Sequence, residues 1–251
     1  MHGIYLAGES FFEAFSVIKN GKMKKFYLLP GILNLIIINF LYKLSKFISF
    51  NLFSKLERYF NLNSYENITF MIIKFIIIII AFLLYFLIYK TLLLIVLSPF
   101  LNYISERTER TQVNHEFNFS FKDNMRFIWR GIVISCKSFS KEILGTAVLL
   151  LLGMMPFLSL TVPFFIFLLQ AYYIGFSFMD YTLERHNYSS KESLIFLKKN
   201  WAFSTFSGAI FTMVFLIPVI GIFIAPLVSC VAVTVGTLKI IDQDKGNSTY
   251  K

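Results

Sequence analysis

The chain has 251 residues, of which 57% are hydrophobic and only 15% are charged, and its mean hydropathy is +0.67. An ordinary soluble domain is about 25% charged, so this composition excludes a disordered chain, a fibrous repeat and most soluble folds. A net charge of +10 would suggest nucleic acid in a soluble protein, but in so apolar a chain it is typical of cytoplasmic loops. The sequence therefore predicts a single-domain integral membrane protein with no nucleic-acid partner.

The N-terminal segment, residues 1–25, is amphipathic. Phe11, Phe12, Phe15 and Ile18 recur at helical spacing, with polar residues on the opposite face. Such a helix either lies on the membrane surface or packs into the core of an oligomer, and the pattern favours neither interpretation.

Two apolar segments, residues 26–44 and 68–101, are predicted as long transmembrane helices. The first is just long enough to span. The second would be about 50 Å long against a hydrocarbon core of about 30 Å, so it must tilt strongly or project from the bilayer. Pro99 suggests a kink or a stop near its end. The polar residues 103–142 that follow are predicted to form a cytoplasmic helical segment.

Two further apolar blocks, residues 143–179 and 201–238, are alike. Each is too long for one span, but folded in half it gives two helices of about 25 Å, at or just below spanning length. Each also carries two prolines, namely Pro156 and Pro163 in the first block and Pro218 and Pro226 in the second. The blocks are therefore predicted to be Pro-broken, hemi-penetrating helical hairpins. Two ordinary short spans per block remain the alternative.

Either alternative gives the same multi-pass topology, because a hairpin returns to its own side. The N-terminus, residues 103–142, residues 180–199 and the tail at 239–251 then share one side. Their basic excess makes that side the cytoplasm.

No catalytic constellation is visible. The sequence has no GxSxG, P-loop, HExxH or dinucleotide-binding motif, and its two cysteines and three histidines form no cluster with metal-ligand spacing. We therefore predict no catalytic residue, no metal and no cofactor. An intramembrane enzyme would need a convergent acid and base that the sequence does not display.

Two charged groups are candidate ligand sites. Lys22, Lys24 and Lys25 precede the first apolar helix, where free N–H groups and lysines together suit a divalent oxyanion. Their alternative role is purely topogenic. The second group comprises Glu106, Arg107, Glu109 and Arg110, in which Glu106 and Arg110 are four residues apart, as in a helical ion pair. It forms either a charged gate at the mouth of a pathway or a solvated helix end.

Several segments carry a family resemblance in their order and spacing. They are Lys24–Pro30, Ser98-Pro99-Phe100 followed by Glu106 and Glu109, Gln170–Tyr172 with Met179–Tyr181, and Leu216–Gly221 with Ala225-Pro226. Together they make the chain similar to the CysZ-type sulfate permeases, which are grouped with the etoposide-induced-protein family of membrane proteins.

The resemblance implies an all-α integral membrane fold with two long transmembrane helices and two hemi-penetrating hairpins. It also implies a homo-oligomer built from dimers, up to a hexamer, that takes up sulfate across the bacterial inner membrane for cysteine synthesis. The family's sulfate site lies near paired arginines, which correspond here to Lys24 and Lys25. Lysine offers a point charge in place of the bidentate guanidinium, and the family's glycine stands one place early, at Gly21.

The resulting hypothesis is a permease for sulfate or a related small oxyanion, passive or ion-coupled. Its alternative is a membrane structural or interaction protein of the same fold that does not transport.

Overall fold

The computed structural model describes residues 2–37, 39, 40, 43, 93, 95–112, 121–153, 155, 157–217 and 220–248. The chain forms two compact units, one made of Met1–Gly31 with Leu97–Lys251 and the other of Ile32–Val96. In the second unit, the described residues 32–37 are helical.

The described residues form eight α-helices and one 3₁₀ turn, with no strand among them. The helices are α1 (His2–Asn20), α2 (28–37), α3 (95–112), α4 (Phe121–Gly153), α5 (Val162–Arg185), α6 (Ser190–Lys199), α7 (Trp201–Phe215) and α8 (Ile220–Ser248), and the 3₁₀ turn is Lys24–Tyr27. The predicted all-α class is confirmed for this part of the chain.

Helices α4 and α5 form an antiparallel hairpin from the first apolar block. A Cβ built on Gly153 would lie 3.3 Å from Val162, and one on Gly145 would lie 2.7 Å from Leu169. The two helices are therefore in contact both next to the turn and farther from it. Pro163 stands in the first turn of α5, where its missing N–H costs no hydrogen bond. Helix α4 begins at Phe121, well before the predicted start at residue 143.

Helices α7 and α8 form a second antiparallel hairpin. A Cβ on Gly221 would lie 2.2 Å from the Val214 carbonyl oxygen, and one on Gly236 would lie 2.4 Å from the Phe203 ring. The chain turns between Phe215 and Ile220, whereas Pro226 lies inside α8 without ending it. Helix α8 continues to Ser248, into the predicted tail.

The two hairpins join where α5 crosses α7, the most extensive contact among helices α1 and α4 to α8. Cβ atoms on Gly175 and Gly208 would lie 1.9 Å from the carbonyl oxygens of Ser204 and Ala171. Only glycine permits this backbone approach, as at small-residue crossings in membranes. Ser204 Oγ also donates to the Tyr172 carbonyl at 2.9 Å.

Helix α1 packs against α8 and α7. Phe11 and Ile18 are buried in this contact, whereas Phe12 and Phe15 are 83% and 58% exposed on the other side. Lys239 on α8 holds the polar edge of α1 by pairing with Glu9 at 2.8 Å and Glu13 at 2.7 Å. The amphipathic pattern therefore corresponds to one face packed on the protein and a second apolar face left open.

Two described helices are long and apolar enough to cross a membrane, Val162–Arg185 and Ile220–Lys245. Both begin in the blocks predicted as hairpins and extend six or seven residues past them, and the depth of those hairpins stays a prediction. Of the two predicted long helices, 26–44 is helical over 28–37, and residues 68–92 of the other lie outside the described residues. Helix α3 runs through Pro99 to residue 112, so the chain does not stop at Pro99, where a kink or a stop was predicted.

Candidate functional site

The turn after α1 carries the first of the predicted anion-binding lysines. The Met23 N–H donates to the Ile18 carbonyl at 3.0 Å, and the Lys22 N–H donates to the Lys19 carbonyl at 3.2 Å. These are the two bonds of a Schellman motif, whose left-handed residue is usually glycine. Here that residue is Lys22, with φ of 53°, because Gly21 stands one position too early. A strained backbone therefore presents this lysine.

The next residues dock onto α3 through Phe26 and Arg107. The Phe26 ring meets Tyr103 edge-on at 5.6 Å between centroids, and the Arg107 guanidinium carbon lies 5.6 Å from the same ring. Arg107 Nε donates to the Gly21 carbonyl at 3.1 Å. Arg107 thus fastens the lysine-bearing turn, residues 21–26, to α3. The sequence placed Arg107 in the predicted gate group, but its role in holding this turn was not predicted.

The three lysines of this turn are exposed. In the described part of the chain, no carboxylate forms an ion pair with Lys22, Lys24 or Lys25. Lys25 Nζ lies 5.3 Å from the Phe26 ring centroid, a cation–π distance. Helix α2 begins at residue 28, directly after the 3₁₀ turn, so the positive end of its dipole lies beside the same segment.

Glu106 and Arg110, the predicted gate, pair with each other on α3. Arg110 donates to Glu106 Oε1 at 2.6 Å, and the Arg110 side chain is 47% exposed. This is the helical i, i+4 pair that their spacing predicts. A pair in this setting fits either a gate or a solvated helix end.

A buried ion-pair cluster occupies the other side of α3. Arg185, at the end of α5, donates from Nε to Glu109 Oε2 at 2.9 Å and from an Nη to Asn102 Oδ1 at 3.0 Å. Its other Nη donates to Ser105 Oγ at 2.5 Å. Both charged side chains are only 1% exposed. Isolated buried charges are very costly, so this complete set of partners is what makes the burial tolerable.

The cluster extends past the end of α5 and to α8. His186 Nε2 donates to the second oxygen of Glu109 at 2.7 Å, and Ser105 Oγ lies 2.8 Å from Thr234 Oγ1. Burial raises the pKa of the Glu109 carboxyl. The His186 hydrogen bond and the Arg185 charge outweigh burial, so the pKa lies below its ordinary value of 4.5. Glu109 is therefore a carboxylate at neutral pH.

A polar stripe on α3 could have pointed to this cluster. Ser98, Asn102, Ser105 and Glu109 are spaced by four, three and four residues, which places them on one helix face. Ser98, Ser105 and Glu109 are buried. On α5, Asp180 and Glu184 would be expected at a solvated interface from their position after an apolar block, but both are buried.

These observations define an all-helical membrane protein with two glycine-joined hairpins, an exposed cationic turn and a buried ion-pair cluster. The chain belongs to the family described as Sulfate transporter CysZ/Etoposide-induced protein 2.4, which matches residues 10–226. The family resemblance seen in the sequence is therefore confirmed, and the family is one of membrane transporters rather than enzymes. No curated protein matches the chain significantly.

Proposed function

We propose that the protein is a permease for sulfate or a related small oxyanion, passive or ion-coupled, in the bacterial inner membrane. The family description supports the substrate class. The observation that carries the proposal is the exposed lysine-bearing turn, whose charges have no carboxylate partner among the described residues. In this role the protein would supply sulfate for cysteine synthesis.

Capture of the anion would begin at Lys24 and Lys25, with Lys22 assisting. Their ammonium groups are single point charges, so they would attract a divalent oxyanion without the fork geometry of arginine. The positive end of the α2 dipole would add to this attraction. Arg107 keeps its Nε on the Gly21 carbonyl, so we assign it to positioning of the turn.

The Glu106–Arg110 pair would act near the mouth of the pathway. It stands on the same helix as Arg107, one residue before it and three after, so it lies close to the lysine-bearing turn along α3. An incoming anion would displace the Glu106 carboxylate from the Arg110 guanidinium, because a solvent-accessible ion pair is weakly held.

We further propose that the two hairpins stop inside the membrane. At the first tip, Phe157 and Leu160 are 92% and 90% exposed, and at the second, Leu216 and Ile217 are about half exposed. Apolar tips in water would be costly. Helix α7 has 15 residues and is about 22 Å long, less than the hydrocarbon thickness of about 30 Å. We also propose that the protein forms a homo-oligomer built from dimers and that its termini lie in the cytoplasm.

The test is sulfate uptake into proteoliposomes containing the purified protein. Wild type is compared with Lys24→Ala/Lys25→Ala, with a Lys24→Arg/Lys25→Arg variant, and with a matched control, Lys191→Ala/Lys198→Ala. The control lysines are two exposed residues on α6. We expect saturable sulfate flux that falls at least tenfold in Lys24→Ala/Lys25→Ala and in neither of the other variants. Competition by phosphate and chloride then ranks the anions by affinity.

Flux equal to that of empty liposomes, from a monodisperse and folded preparation, would reject the permease. The same fold would then serve as a membrane structural or interaction protein. Flux that survives the Lys24→Ala/Lys25→Ala change would keep the permease and reject the lysine-bearing turn as its capture site.

A further inference from the structure

A groove of about 800 Å³ lies between α4, α5 and α7, outside both charged regions described above. Its volume falls within the range of small-molecule sites, about 300–1,000 Å³. Most of its wall is aliphatic or aromatic, from residues such as Leu144, Val148, Phe165 and Leu168. Leu144, Val148 and Phe165 are about half exposed or more, so this wall faces outward from the protein.

The polar groups of the groove gather at one end. Lys141, Tyr172, Tyr173, Trp201 and Thr205 line that end, and Leu149 and Phe165 line the other, toward the tip of the first hairpin. Tyrosine and tryptophan favour the membrane interface because one part of each ring system is apolar and one part is polar. The groove therefore has an interfacial end and a hydrocarbon end.

We propose that this groove binds an anionic glycerophospholipid, with its phosphate at Lys141 and an acyl chain along α4. Lys141 is exposed, whereas the neighbouring Glu142 is buried, so the surface at this end presents the cation. From Lys141 to Leu149 the groove runs about 12 Å along the helix. One leaflet of hydrocarbon is about 15 Å deep, half of the core thickness, so the apolar part matches an acyl chain in length.

Trp201 provides a direct probe because the chain contains only two tryptophans. In a Trp129→Phe background, Trp201 is the single tryptophan, and it lines the polar end of the groove. The protein is reconstituted in phosphatidylcholine vesicles that contain equal fractions of brominated phosphatidylglycerol or brominated phosphatidylcholine with the same acyl chains. Quenching of Trp201 then reports which lipid occupies the groove.

We expect brominated phosphatidylglycerol to occupy the groove about fivefold more readily than brominated phosphatidylcholine, as one lysine near an anionic headgroup would give. Lys141→Ala should abolish this preference, so that the two lipids quench equally, and Lys141→Arg should retain it. Lys191→Ala removes an exposed lysine from α6, outside the groove, and should leave the preference unchanged.

Equal quenching by the two lipids in the parent protein would overturn the proposal, as would a preference that survives Lys141→Ala. Quenching by neither lipid would also overturn it, and would indicate that a second copy of the chain covers the groove. Because Lys141→Arg keeps both charge and side-chain length, a loss of preference in that variant with a normal elution profile would count against phosphate binding by charge.

Discussion

Helix α3 carries charged residues on two sides, and the environments of those sides are opposite. Toward the lysine-bearing turn, Arg107 bonds a backbone carbonyl, and the Glu106–Arg110 pair remains in contact with solvent. On the other side, Glu109 is 1% exposed and is bonded by Arg185 and His186. Consecutive residues of α3, Glu109 and Arg110, therefore lie in a desolvated and a solvated region.

The comparison shows which charges are available to a ligand. A buried pair holds its partners tightly, because removing either partner leaves a desolvated charge. Exposed charges are screened and lose little when they exchange partners. A transported anion should therefore meet the lysine-bearing turn and the Glu106–Arg110 pair, whereas the Arg185 cluster should hold α3, α5 and α8 together.

The largest expected effect comes from removing Arg185. Arg185→Leu leaves the buried Glu109 carboxylate without its main partner, and we expect a loss of about 3–5 kcal/mol in unfolding free energy. Thermal unfolding of the detergent-solubilised protein measures this loss. The double variant Glu109→Leu/Arg185→Leu should regain most of it, because no buried charge then remains unpaired. If Arg185→Leu alone unfolded at the same temperature as wild type, the cluster would not have the structural role assigned to it.

Acid should weaken the same cluster. The folded-state pKa of Glu109 lies below its ordinary value of 4.5, so folding favours the carboxylate. Its contribution is therefore complete above about pH 4.5 and is lost as pH falls through the lower, folded-state pKa. Stability measured from pH 7 to pH 3 should fall less steeply at the acid end in Glu109→Gln than in wild type.

Arg107→Ala tests whether the lysine-bearing turn depends on α3. The variant loses a charged hydrogen bond to the Gly21 carbonyl, worth about 2 kcal/mol, and the contact with the Phe26 ring. We expect sulfate uptake to fall with a raised KM, because the lysines are less well positioned. Arg107→Lys should restore charge but not the bond geometry. Uptake rescued fully by lysine would assign Arg107 a purely electrostatic role.

The helical hairpins were predictable because block length and the placement of proline depend on local sequence. Pro163 begins α5, next to the turn of a hairpin predicted to be broken by prolines. Pro226 was predicted to break the second block but lies within α8, because a proline inside a well-packed apolar helix can be accommodated by its neighbours. The crossing at Gly175 and Gly208 was not predicted, because a glycine shows its purpose only when the opposing backbone is known.

The charged regions were predictable to different degrees. Glu106 and Arg110 pair as their spacing requires, because both residues lie on one helix. Arg185 and Glu109 are 76 residues apart, so only the packing of α3 against α5 selects them as partners. The left-handed Lys22 was also missed, because propensity places glycine at that position and the chain has Gly21 one residue earlier.

Replacing Lys22 by glycine should separate backbone strain from charge. Glycine adopts the left-handed conformation without steric cost, so Lys22→Gly should stabilise the protein by about 1 kcal/mol. Lys22→Asn is a second variant with the same charge change, and asparagine already occupies the corresponding left-handed position after α5, at Asn187. If both variants are stabilised but transport less sulfate, the turn accepts strain in order to present a cation. Unchanged uptake in both would exclude Lys22 from capture.

The smallest expected effect on stability belongs to Glu106→Ala and Arg110→Ala. Each removes an exposed i, i+4 pair worth about 0.3–0.5 kcal/mol, so thermal unfolding should hardly change. Uptake decides their role: a gate requires that Arg110→Ala lowers sulfate flux several-fold, while Glu106→Ala, which removes one carboxylate that competes with the anion for Arg110, maintains or raises it. Equal flux in both variants and wild type would identify the pair as a solvated helix end, and only the lysine-bearing turn would then remain as a candidate for anion contact on this side of α3.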